Sequence, residues 1–281
     1  MSGRRSGHRR WTISVVLLAV IAFTPMPIVS AAAISHTRAP GALRSHSVLP
    51  SLRDTCFDRI PTKKKLVALT FDAGGGDGGV RKILRTLRAE GVPGTFFLTG
   101  RWAEEFPDQV AAIAAAGHVL GNHTRTHRKV STLTTSTLRS ELRSTNKAVR
   151  QIADRGTKPF FRFPYGAHTP RDVNRINDLG YACIQWSVDT AGWMGTSGGR
   201  SVASVRTRVM DELAPGEIVL MHVGQHPTDG STLDADALAS VIEAVRAKGY
   251  GFTTLRALLP TPRPIPKPTP TPAVSASAPA A

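Results

Sequence analysis

A single α/β domain built on parallel strands is the fold the sequence predicts, and three observations predict it. Between Lys63 and Leu259, seven short apolar runs alternate with six amphipathic segments, the pattern of successive βα units. Several of those runs end in an unusual polar residue, and no repeat of fixed period divides the chain. At 281 residues and 41% hydrophobic content, there is apolar side chain enough for one sizeable core.

Taken in order, the first 33 residues read as an export signal. Arg4, Arg5, Arg9 and Arg10 precede the apolar stretch 13–23, and the small residues 30–33 offer a cleavage site. Pro25 and Pro27 break that stretch short of the roughly 20 residues a membrane-spanning helix needs. Residues 34–62 read as a linker and lead-in, with no acidic residue before Asp54. The strand-length runs are 66–71, 95–98, 118–121, 160–163, 181–187, 217–222 and 251–255. Among the helical segments, Val80, Ile83, Leu84 and Leu87 follow the i, i+3, i+4, i+7 rule, and Gly91 stops them. Pro107 opens 108–116, and Leu138, Leu142, Val149 and Ile152 line one face of 135–153. Segments 170–179, 202–213 and 234–247 end near Gly180, Pro215 and Gly249. Right-handed crossovers serve an open doubly wound sheet and a barrel alike. From Pro260 the pattern TPRPIPKPTPTP has nothing to bury, so the domain is 63–259 and residues 260–281 form an extended tail.

The formal charge of +16 is concentrated at the ends. The six Arg of residues 1–50, with Arg263 and Lys267, take eight of the 36 basic residues and leave 28 against 20 acidic ones on the core. That surplus favours anionic partners such as acidic wall polymers, or is simply an Arg-rich solvated surface. No basic helix with interleaved aromatics appears, and export argues against nucleic acid. Cys56 and Cys183 are the only cysteines. In an oxidising compartment they would pair and tie the lead-in to the core; otherwise Cys183 is a buried thiol.

The chemistry lies at the ends of the apolar runs. Asp72 follows VALTF, His123 follows HVLGN, Arg162 sits in FFRFPYG, Asp189 follows IQWSV and His222 follows EIVLM. In parallel α/β folds, the C-terminal ends of the strands are where loops converge on an active site. His123 and His127, four apart, would converge on one ion if their loop makes a helical turn, and neutral imidazole is a favoured Zn²⁺ ligand. The Gly-rich stretch 74–79 lacks the G-K-[ST] ending of a phosphate-binding loop. Together the residues suit metal-assisted hydrolysis, with a carboxylate as general base and His222 protonating the leaving group.

These residues resemble the polysaccharide deacetylases of carbohydrate esterase family 4, over about 63–259 and in five ordered motifs. The family's T-F-D-D-G is similar to Thr70-Phe71-Asp72-Ala73-Gly74, and its H-[ST]-x-x-H to His123-Thr124-Arg125-Thr126-His127. Its R-x-[FP]-P-[YF] block resembles Arg162 to Tyr165, and its L-x-H matches Leu220-Met221-His222. Its D-x-x-D-W block is matched in part by residues 186–190, with Trp186 in place of the first Asp. The resemblance implies a distorted (β/α) barrel of about seven parallel strands. It implies Asp72 as base, His222 as acid, and His123 and His127 as ligands of a divalent metal, usually zinc. Arg162 would position Asp72, Asp189 would tune His222, and the Tyr165 backbone N–H would receive the oxyanion. Leu220 and Trp193 would offer apolar surface to the acetyl methyl; core packing is the alternative for both, and the stronger one for Leu220. Ala73 stands where the family has a third metal ligand, and Asp77 is the nearest carboxylate that would replace it.

The implied activity is removal of N-acetyl groups from a wall polysaccharide, peptidoglycan or chitin-like, by a secreted or wall-associated hydrolase. Loss of both acids resembles the branch that acts on muramic acid residues. Two other readings compete: an O-acetyl esterase on xylan-like glycans, and a non-catalytic wall-glycan-binding module.

Overall fold

The computed structural model describes residues 48–260, so the expected export signal and nearly all of the Pro-rich tail lie outside the described residues. Strand and helix alternate as the pattern predicts. The strands are β1 (Cys56–Phe57), β2 (Leu66–Ala73), β3 (Thr95–Leu98), β4 (Val119–Asn122), β5 (Phe160–Phe161), β6 (Ala182–Ile184), β7 (Val188–Asp189), β8 (Glu217–His222) and β9 (Gly251–Thr253). The α-helices are α1 (Val80–Ala89), α2 (Gly100–Glu105), α3 (Pro107–Ala115), α4 (Thr135–Ala153), α5 (Pro170–Asp178), α6 (Val202–Asp211) and α7 (Leu233–Ala247).

All strand pairs are parallel, in the order β1-β6-β5-β4-β3-β2-β8-β7, and β9 pairs with the start of β2. This order forces the sheet to curl. β6 and β7 are six places apart in it, ~29 Å across a flat sheet. Yet Ile184 and Val188 are four residues apart, and the chain between them spans at most ~14 Å. Only a curled sheet brings its ends that near. At the base, the lead-in closes the gap: Gln185 N–H donates to Phe57 O, Ile60 N–H donates to Gly216 O, and Arg59 bridges Glu217.

Burial follows the strand period of two. Val67, Leu69, Phe71 and Ala73 of β2 face the helices, in one cluster with Val219 and Met221 of β8. Ala68, Phe97, Val119, Phe160, Ile184 and Ile218 form a separate cluster inside the barrel. Asp72, Arg162, Asp189 and His222 share the parity of the inward set, so the same alternation that builds the core aims the polar groups into the barrel mouth.

Nine strands stand among the described residues where about seven were expected. The run predicted at 181–187 divides into β6 and β7 as the chain crosses from one sheet edge to the other. β1 lies in what read as lead-in: Val48, Leu52 and Ile60 are buried, so the described part of that segment, 48–62, belongs to the body rather than to a linker. Cys56 and Cys183 are partners in the β1–β6 register and form a disulfide, with Cα atoms 4.5 Å apart.

Candidate active site

A cavity of about 630 Å³ opens at the C-terminal ends of the strands, and Asp72, His123, His127, Tyr165, Asp189, Trp193, Leu220 and His222 line it. Arg162 is wholly buried beneath. Nearly all the residues singled out by sequence are therefore brought to one place. Asp77 is the exception: its Oδ2 accepts from Gln109 Nε2 at 2.8 Å, on α3, and it does not line the cavity. The expectation of Asp77 as replacement ligand is corrected on that ground.

Asp72 ends β2 with its carboxylate nearly closed off from solvent. Arg162 donates to its Oδ1 at 2.7 Å, and also to Thr70 Oγ1 at 2.9 Å and Gln185 O at 3.0 Å. The guanidinium lies 4.2 Å from the centroid of the Phe97 ring and 5.5 Å from that of Trp186. Burial pushes the Asp72 carboxyl up, but Arg162, then His123 and His222, outweigh it and hold the pKa below the usual carboxylate value.

The two histidines sit on a bent loop rather than the helical turn their spacing suggested. Thr124 and His127 take positive φ (63° and 56°), and His127 N–H donates to Thr124 Oγ1. Glu141, buried on α4, gathers the loop by accepting from the N–H groups of Arg125 and Thr126 at 2.8 Å each. With Tyr165 and Ala191, four of the six non-glycine residues of positive φ among the described residues belong to loops around the cavity. Such strain tends to gather at functional sites.

His123 Nδ1 is 2.9 Å from Arg162 O, and a carbonyl can only accept, so Nδ1 carries the proton and Nε2 is a bare lone pair in the neutral ring. That Nε2 lies 3.1 Å from His127 Nε2 and 3.5 Å from Asp72 Oδ2. Burial lowers the pKa of both rings; for His127 burial and then His123 bring it to about 4. Two neutral imidazoles directed at one point fit a divalent cation. They fit it as a pair: among the described residues, no third His, Cys, Asp or Glu atom lies within 4.8 Å of both ring nitrogens. Ala73 is fully buried and packs in the helix-facing core. The one convergence of three ligand atoms among the described residues is Cys56, His168 and Cys183, whose sulfurs are committed to the disulfide.

His222 ends β8 half-buried, with Trp193 6.3 Å away between ring centroids. Burial lowers its pKa, but Asp234, Asp72 and Asp189 together raise it above the ordinary value. The expected tuner, Asp189, spends its Oδ1 on Ala191 N–H at 2.8 Å and its Oδ2 faces Trp193 Nε1 at 3.4 Å. The carboxylate closest to the ring is Asp234 of α7, with Oδ2 3.8 Å from Nδ1. Sequence reading missed Asp234, which sits in a helix start with no motif around it. The D-x-x-D-W register is also corrected. Asp189 and Trp193 have the spacing of its first Asp and its Trp, and both line the cavity. Gly192 then stands in the place of the second Asp.

Residues 59–184 match the family model described as polysaccharide deacetylase. A peptidoglycan-N-acetylglucosamine deacetylase of Bacillus cereus is 35% identical over 203 residues, 72% of this chain and 70% of that protein. The structure of a Bacillus subtilis family 4 carbohydrate esterase, PdaA, superposes with a TM-score of 0.67 at 29% identity, covering 73% of this chain and 85% of that one. A family 4 pseudoenzyme from Bacillus anthracis has the same TM-score at 29% identity, covering 74% and 70% of the two chains.

Proposed function

The chain belongs to the polysaccharide deacetylase family, carbohydrate esterase family 4, and from that premise we propose that it hydrolyses N-acetyl groups on the sugars of peptidoglycan. The convergence of Asp72, His123, His127 and His222 on one cavity carries the reading. Asp72 takes a proton from the attacking water at its carboxylate, and Arg162 keeps that carboxylate charged and oriented. His222 gives a proton to the nitrogen as the C–N bond breaks, so acetate and a free amine leave. The Tyr165 backbone N–H donates to the developing oxyanion, while Leu220 and Trp193 flank the acetyl methyl. His123 and His127 would hold a divalent cation, zinc by donor type, which would make the water more acidic and polarise the carbonyl. Export through residues 1–33 and retention near anionic wall polymer complete the proposal.

The test is acetate release from purified peptidoglycan by the metal-stripped protein titrated with Zn²⁺. Zinc-dependent release, lost by about a hundredfold or more in Asp72→Asn and His222→Gln, is expected. Identification of the freed amine on glucosamine or muramic acid assigns the sugar, and release from acetylxylan alone would turn the reading to an O-acetyl esterase. A non-catalytic, glycan-binding role has one observation in its favour: Ala73 leaves the histidine pair without a third ligand. Glycan binding without acetate at any zinc level would establish it.

A further inference from the structure

His222 has two ring nitrogens with different surroundings. Nδ1 is buried and has no hydrogen-bond partner among the described residues, which leaves Nε2 as the atom able to serve the cavity. Asp234 Oδ2 is 3.8 Å from that buried Nδ1, beyond hydrogen-bond range but well within that of charge attraction. Asp234 is itself buried and tightly held. Thr190 Oγ1 lies 2.6 Å from its Oδ1, and the His222 backbone N–H donates to its Oδ2 at 2.8 Å. Although Asp234 stands in the first turn of α7, its side chain reaches across to Thr190 and His222.

Room for this carboxylate comes from Gly192. A Cβ added at 192 would collide with Asp234 Oδ1, and no other group would meet it sooner. Gly192 has no positive φ, so its backbone does not require glycine; the occupied space does. The D-x-x-D-W pattern carries an acid at this position, and here an acid fills the same space from a different element.

We propose that Asp234 is the positioning residue of His222, holding the ring with Nε2 toward the substrate and supporting its protonated form through Nδ1–H, in the role expected of Asp189. This rests on the deacetylase reading for its catalytic consequence, but not for its geometry. The charged and titratable groups acting on His222 are Asp72 on β2, Asp189 on β7, Asp234 on α7, and His123 and His127 beyond β4. Of the three carboxylates, only that of Asp234 bonds to His222 itself.

The experiment uses the full chain, with an NMR titration of the imidazoles assigned through His222→Gln, and pH profiles of kcat and KM. Asp234→Asn keeps the shape and removes the charge. Its His222 midpoint should fall by about one pH unit or more, and kcat by about tenfold or more with KM little changed. Asp189→Asn should do less on both counts. The exchange of positions is the sharper test: Asp234→Ala should lose the function, and Gly192→Asp combined with Asp234→Ala should recover part of it. Gly192→Asp alone should destabilise the protein, because two carboxylates then contest one space. An unmoved midpoint in Asp234→Asn, with Asp189→Asn shifting it instead, overturns the proposal. Should Asp234→Asn fail to fold, no recovery in the exchanged double variant overturns it equally. Wild-type protein that releases no acetate would defeat the deacetylase reading alone, since the NMR midpoint requires no turnover.

Discussion

Asp72 and His222 need opposite charges for the proposed chemistry, and their surroundings supply both. Arg162 outweighs burial at Asp72, and a ring of carboxylates does so at His222. The pair should therefore stay carboxylate and imidazolium across a wide pH range. We expect kcat/KM to decline on the alkaline side above pH 6.5, as His222 loses its proton, and on the acid side below the usual carboxylate range, as Asp72 gains one. Arg162→Met leaves the burial of Asp72 unopposed, so the acid limb should move upward. Loss of the buried partner should also cost about 3–5 kcal/mol in denaturant titrations. Glu217, at the opposite end of the barrel, titrates the other way. It is fully buried with Oε1 unpartnered, and burial raises its carboxyl from 4.5 to about 7. Its contribution is therefore whole below pH 4.5 and is lost as the pH rises to about 7, on the order of 3 kcal/mol. Glu217→Gln should flatten the Tm-against-pH curve over that window; an unchanged slope would show that the carboxyl is not so confined.

At the scale of elements, the strand period was legible and the contacts between strands were not. Alternation in VALTFDA puts Asp72 on the inward face without reference to any other element. What keeps Asp72 charged is Arg162, 90 residues away in sequence, seated by Phe97 of β3. Phe97 has its place because Gly121 of β4 offers no Cβ to its ring. Gly121→Ala should therefore displace Phe97 and Arg162 together, costing about 1–3 kcal/mol by thermal unfolding and lowering kcat beyond the loss of stability. The histidine loop shows the same division. Its two histidines were legible from spacing, but its bend depends on Glu141 of α4, which has no sequence mark of its own. The six-residue α2 escaped detection because one and a half turns carry too few apolar positions to show a period.

For the whole molecule, connectivity decides shape. Joining β6 to β7 through three residues while five strands of the sheet lie between them leaves only a curled form. The disulfide reinforces the seam at β1, tying residues 127 apart in sequence. By chain entropy that link is worth about 4–5 kcal/mol. Replacing Cys56 and Cys183 by Ser should lower Tm by several degrees, and reductant should then have no further effect; a Tm equal to wild type would show the link is not formed in solution. The spread of the site residues also belongs to this scale: they arrive from β2, β4, β7, β8 and the loop after β5, so no fragment of the chain holds the site.

By itself, the sequence determined the α/β class, the positions of most helices and strands, and the histidines, acids and arginine at the strand ends. Those properties are local: a period of two or 3.6 and a motif are written in neighbouring residues. Tertiary structure decided the curl of the sheet, the pairing of Cys56 with Cys183, the exclusion of Asp77 and the arrival of Asp234 in the space left by Gly192. Each of these depends on distances between residues remote in sequence, and such distances are set only when all the strands have packed around one core.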